Sequence, residues 1–212
     1  MASVVKSASR CGRGKIMLAT NDQEIRAALH HKKLRSYQKD RSAIIVDELG
    51  LSHAKVRIDI AVISAEVHGF EIKSGLDTLD RLPGQLEFYS KGLSRLTLVC
   101  ADKHLAKAEK IVPDWCGLIL VEKGPRGGIT FDTVRRARAN PSVDAVQVAH
   151  LLWHSEAAEL LAGFGASPRE LKRSRLQLYI DLAAQMPIAD LIAAIRNFMA
   201  HRSTWRDQPA HA

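Results

Sequence analysis

Apolar and polar residues alternate over 56–63 and again over 67–73, the two-residue period of half-buried β-strands. Only Ser64, Ala65 and Glu66 separate the runs, so the spacing predicts a hairpin that lays them side by side. An earlier strand opens at Ala43 and runs toward Leu49, and 95–101 and 116–121 are apolar runs of the buried-strand kind. Between these the period lengthens. Asn21-Asp22 offers a cap for a helix through about Leu34, with Ile25, Ala28 and Leu29 on one face. A second helix is expected over 76–92. Pro83 sits in its first turn or starts the main segment at Gly84, which places Gln85 and Tyr89 at i and i+4 on one face. A third runs from His104 to a stop at Pro113. Residues 123–128 read as a turn, because they lack the Lys-Ser/Thr ending and the following helix of a phosphate loop. Beyond Asn140-Pro141 the pattern is helical over 145–161, 167–186 and 187–202, with a capping box at Ser167-Pro168-Arg169-Glu170. This order predicts an α/β sheet with helices on its faces. The chain divides into an N-terminal arm (1–20), a core (21–140) and a C-terminal helical cap or subdomain (141–212).

With 212 residues and 46% hydrophobic content, the chain can bury one substantial core. No run approaches the roughly 18 consecutive apolar residues of a membrane span, so no membrane partner is expected. Cys11, Cys100 and Cys116 are odd in number and lack C-x-x-C spacing, which suits a reducing cytoplasm, and Cys100 reads as a core residue. The net charge of +8 is concentrated at one end: residues 1–41 hold ten Lys/Arg against three Asp/Glu. A basic arm and first helix can attract a polyanion by counterion release. The first twenty residues carry no acid and lack an amphipathic period, which favours a disordered arm over a transit peptide, and Met17 is an alternative start.

The candidate chemistry lies in the hairpin. Asp59 interrupts an apolar run, where burying an acid is costly unless something compensates it, and a metal is one such compensation. Glu71 and Lys73 stand two apart and project from one strand face. His150 and His154 have the i, i+4 spacing of a zinc helix, but the intervening Leu151-Leu152-Trp153 lacks the required glutamate and no third ligand is evident. Gly-x-Ser-x-Gly nucleophile motifs are absent.

Asp59, then Glu71-Ile72-Lys73, then Gln85-Leu86-Glu87-Phe88-Tyr89 resembles the PD-(D/E)XK nuclease superfamily with the Q-x-x-x-Y element of its RecB-like members. The longer string with Ser74, Asp77-Thr78-Leu79-Asp80-Arg81-Leu82-Pro83 and Gln85 resembles the bacterial sce7726 family. The resemblance covers about residues 20–155. It implies a restriction-endonuclease-like mixed sheet flanked by helices and a metal-dependent hydrolase cutting phosphodiester bonds in DNA. Asp59 and Glu71, with the Ile72 carbonyl, would bind Mg²⁺ or Mn²⁺. Lys73 would orient or deprotonate water or stabilise phosphate charge, and Gln85 and Tyr89 would stand beside the site as further catalytic residues. Glu48 is the preferred third carboxylate, ahead of Glu24 and Asp22. The competing expectations are a non-catalytic nucleic-acid-binding module on that fold and a toxin-like protein acting on RNA.

Overall fold

Six strands lie in the order β1-β2-β3-β4-β5-β6 across a single sheet of the computed structural model, which describes residues 18–40 and 42–202. They are β1 (Ile44–Leu51), β2 (Val56–Ile63), β3 (Val67–Lys73), β4 (Arg95–Ala101), β5 (Gly117–Lys123) and β6 (Ile129–Arg135). The first three are antiparallel, β3, β4 and β5 run parallel, and β6 returns antiparallel along β5. The expected sheet with helices on its faces is therefore present, and it is mostly antiparallel. The basic N-terminal arm through Met17, including Cys11, lies outside the described residues.

Helix α1 (Asp22–Lys32) starts at the expected cap: the Asn21 side chain accepts from the Glu24 amide at 2.9 Å. A short α2 (Arg35–Lys39) follows. Pro83 sits in the first turn of α3 (Leu82–Gly92), so residues 76–81 remain a loop and do not extend that helix. Helix α4 (Asp102–Ile111) links β4 to β5.

The 145–161 segment is not one helix. It breaks into α5 (Ala145–Ala149) and α6 (His154–Gly163) because Leu151 and Leu152 turn into the core. The Glu156 carboxylate then caps the second helix, accepting from the Trp153 amide at 2.7 Å. Ser167 and Glu170 make their reciprocal bonds but start only a 3₁₀ turn, and α7 (Arg175–Gln185) begins after Ser174. Helix α8 (Ile188–His201) closes the described chain.

The sheet has apolar clusters on both faces. Ile25 and Leu29 of α1 pack with Ile60, Val62, Phe70 and Ile72 on one face. The other, larger cluster joins α3 and helices α5–α8 to Ile58, Ala61, Ile63 and Val67. Gly117 at the start of β5 is set by close approach: a Cβ there would stand 2.8 Å from the Ala137 backbone nitrogen. Gly117→Ala is expected to cost about 2 kcal/mol, measured by urea unfolding. Gly84→Ala in α3, where a Cβ meets nothing within 4 Å, should instead be neutral or stabilising.

Candidate functional site

Two strands change faces on the same rung, and that opens the site. Along β2, Ile58 packs in the larger cluster and Ile60 in the smaller one, although residues two apart normally share a face. Along β1 the alternation slips in the same way, with Ile44 and Val46, then Leu49 and Leu51, all in the larger cluster. Glu48 lies at that slip with φ of 55°, a left-handed conformation uncommon outside glycine. Asp47 pairs with Ile60 and Leu49 with Ile58, so Glu48 and Asp59 face each other across the step between them. The β2–β3 ladder stops at Ile60 and Phe70, one residue short of Asp59 and Glu71. There the Asp59 side chain replaces the ladder: its Oδ2 accepts the Ile72 amide at 2.6 Å.

Glu48, Asp59 and Glu71 therefore line up across three adjacent strands. All three border a pocket of about 410 Å³, together with Asp22, Lys73 and Gln85. The exposed side chains of Lys55, Arg57 and Arg81 form its basic rim.

Glu71 is held at both carboxylate oxygens. Its Oε1 accepts from Lys73 Nζ at 2.8 Å and Gln85 Nε2 at 2.9 Å. The Tyr89 hydroxyl donates to Oε2 at 2.6 Å, with the Arg57 carbonyl 2.7 Å away as its alternative acceptor. Lys73 also donates to Gln85 Oε1 at 3.2 Å. Burial, then the neighbouring Glu71 carboxylate, pushes the Tyr89 phenol well above its ordinary range.

Arg26 holds the other half of the pocket, and sequence reasoning did not single it out. It donates to Glu48 at 2.6 Å, Asp22 at 3.1 Å and Asp59 Oδ1 at 3.2 Å, and also to the Asp59 carbonyl. The available signal was its i+4 spacing from Asp22 on α1. Burial lowers the Arg26 pKa, but Asp22, Asp59 and Glu48 outweigh it and raise the value overall. Even so, Asp59 is pushed up to about 7, first by burial and then by Glu71. Burial and Glu71 thus outweigh the Ile72 amide and Arg26 at this carboxylate.

Of the three upstream acids, Glu48 and Asp22 join the pocket. Glu24 instead pairs with Lys123 at 2.6 Å. Among the described residues, no group of three His, Cys, Asp or Glu side chains is arranged to hold a metal. His150 and His154 do not share a site: His150 stacks on His53, and His154 bonds the Arg173 carbonyl at 2.9 Å. Burial pushes the Cys100 and Cys116 thiols up to about 12, which leaves both as inert core groups.

A family model described as bacteriophage P4 protein cII matches residues 17–208. The chain belongs to the bacteriophage P4 protein cII family. A curated relative, protein cII of Enterobacteria phage P4, is 27% identical over 157 residues, 73% of this chain and 59% of that protein. The chain thus spans about three-fifths of the length of that relative. No solved structure matches.

Membership in the cII family overturns the sce7726 and PD-(D/E)XK resemblance. With it go the assignments as a bacterial hydrolase, as a magnesium-dependent deoxyribonuclease and as a non-cutting module on that fold. The misreading has a physical cause. A buried carboxylate that accepts from a lysine, an amide and a phenol places acid, x-Lys and Gln-x-x-x-Tyr at the same spacings, whatever the site does.

Proposed function

We propose that this cII-family protein binds a divalent cation, Mg²⁺ or Mn²⁺, in the pocket and through it a nucleic-acid phosphate, as a binding protein. The observation that carries the reading is the convergence of Glu48, Asp59 and Glu71 from three adjacent strands on one pocket, where burial and then Glu71 push the Asp59 carboxyl up to about 7. Four carboxylates, Asp22, Glu48, Asp59 and Glu71, share their ion pairs with Arg26 and Lys73, which leaves a divalent ion a place beside them. Each carboxylate offers about four acceptor sites. Five bonds to Asp59 and Glu71 from Arg26, Ile72, Lys73, Gln85 and Tyr89 leave sites to spare. Mg²⁺ commonly takes one or two carboxylates and completes its shell with water. Asp59 and Glu71 would be the ligands, with the Ile72 carbonyl beside them and Glu48 as an outer carboxylate.

The bound ion supplies a positive charge that phosphate oxygens can share. Gln85, Tyr89 and Lys73 hold the Glu71 carboxylate in place, and Lys55, Arg57 and Arg81 on the rim supply further charge for a polyanion. Among the described residues no helix is long and apolar enough to cross a membrane. Two buried reduced thiols suit the cytoplasm of a host cell.

The test is Mn²⁺ titration by calorimetry and thermal melting. Wild type should release or absorb heat on binding and melt higher, by the equivalent of about 2–3 kcal/mol at a hundredfold excess over Kd. Asp59→Asn should lose both signals while staying folded, and Glu71→Gln is read in the Lys73→Met background, where no buried charge is stranded. A wild-type protein that shows neither heat nor a melting shift with Mn²⁺ rules the cation site out.

A further inference from the structure

The turn between β1 and β2 is folded at a cost and held from outside. Ser52, His53 and Ala54 have φ of 49°, 58° and 60°, three consecutive left-handed residues of which none is glycine. Such runs persist only where surroundings over-determine them, and they concentrate at functional sites. Here the surroundings are the C-terminal helices. Ser52 Oγ donates to Gln147 Oε1 at 2.9 Å. The His53 ring stacks on His150 with centroids 4.3 Å apart and planes 27° apart, and the Tyr179 ring lies 5.1 Å from His150. Both ring nitrogens of His150 are buried without a partner, so this imidazole serves as a flat packing surface. The near-parallel rings of His53 and His150 also exclude a shared metal, whose bonds would lie in both imidazole planes.

The outcome is an exposed histidine whose ring stacks on His150 and lies 6.0 Å from the Tyr179 ring, followed along the same strand entry by exposed Lys55 and Arg57 on the pocket rim. An unpaired nucleobase needs such a support. Bases of single strands stack on aromatic side chains while neighbouring cations track the backbone, whereas a duplex keeps its bases stacked on each other. We propose that His53 is a base-stacking residue for single-stranded nucleic acid, supported by His150 and Tyr179, with Lys55 and Arg57 taking the phosphates next to that base. This rests on the reading of the pocket as a nucleic-acid phosphate site and names the strandedness of its partner.

The experiment uses the full chain in Mg²⁺ with a short single-stranded oligonucleotide carrying 2-aminopurine, and the same sequence as a duplex. Stacking on His53 quenches the probe, and the single strand binds more tightly than the duplex. His53→Asn removes the ring but keeps a residue that tolerates a left-handed backbone. It should abolish the quench and weaken single-strand binding about tenfold. His53→Tyr should restore both, and Lys55→Ala should weaken binding while the quench at saturation remains. Unchanged affinity and quench in His53→Asn, or equal binding of duplex and single strand, overturns the stacking assignment and leaves the pocket reading standing. If wild type binds neither strand, both this inference and the nucleic-acid half of the pocket reading fall, and the Mn²⁺ titration then judges the cation half alone.

Discussion

Asp59→Asn should make the metal-free protein more stable above neutral pH and leave it little changed near pH 4. The sign follows from the shift. The carboxyl sits at about 7 in the folded chain, raised first by burial and then by Glu71, against about 3.9 when unfolded. Between those values the native state holds a proton that the unfolded state has released, so folding loses stability as pH rises through the window. The full difference corresponds to about 4 kcal/mol. Asparagine removes that penalty and keeps an oxygen for the Ile72 amide, but it turns an amide toward Arg26, so a net gain of about 2 kcal/mol at pH 8 is expected.

His68 works in the opposite direction over the same range. Burial, then Arg95, lowers it to about 4, so its contribution is lost as pH falls from about 6.5 toward 4. Wild type should therefore show a flattened profile between pH 4 and 7, and the Asp59→Asn profile should rise. Urea unfolding across pH in chelator-treated buffer reads this directly. An Asp59→Asn protein less stable than wild type at pH 8 would mean that Arg26 already compensates the carboxylate, and the charge argument for a cation would go with it. If the cation binds as proposed, Mn²⁺ should erase the wild-type deficit at pH 8, because the ion replaces the missing charge.

The parts of the fold legible in the residues are those where side-chain period and burial agree. Strands β2 and β3 have the bounds their alternation predicts, because Ile58, Ile60, Val67 and Phe70 are all buried against one face or the other. Gln85 and Tyr89 reach Glu71 together because Pro83 starts the helix early enough to put both on its inner face. Strand β6 was not legible, since as an edge strand it buries little beyond Ile129 and its alternation competes with a Gly-rich turn. Arg26 was missed for a different reason. A lone arginine on an amphipathic helix looks like surface, and only the three-dimensional meeting of α1 with the Glu48–Asp59 rung reveals its partners. The family itself was misassigned because four or five residues of a buried network carry little information about ancestry. Similarity along 17–208 carries far more.

Lys73→Met should destabilise the metal-free protein by about 3 kcal/mol. Lys73 and Glu71 have side chains only 6% and 3% exposed, and their 2.8 Å contact is a buried ion pair. Removing one partner strands the other charge in a medium that solvates it poorly, at a cost of about 3–5 kcal/mol. Against a typical domain stability of about 5–15 kcal/mol, that is a large fraction. Gln85 and Tyr89 still donate to Glu71, so the expected loss lies toward the lower end. The double variant Lys73→Met/Glu71→Gln tests the cause. It removes the stranded charge while leaving an oxygen for the Tyr89 hydroxyl, and should recover more than half of the loss, a coupling of about 1.5 kcal/mol or more. Additive losses, or a Lys73→Met protein within about 1 kcal/mol of wild type, would show that the pair is solvated in solution. The pair also bears on binding. Lys73 and Gln85 occupy Oε1 of Glu71, which leaves Oε2, bonded only to Tyr89, as the oxygen with room for a cation. The double variant should therefore regain its fold without regaining Mn²⁺, because stability follows the balance of buried charge and binding needs the carboxylate itself.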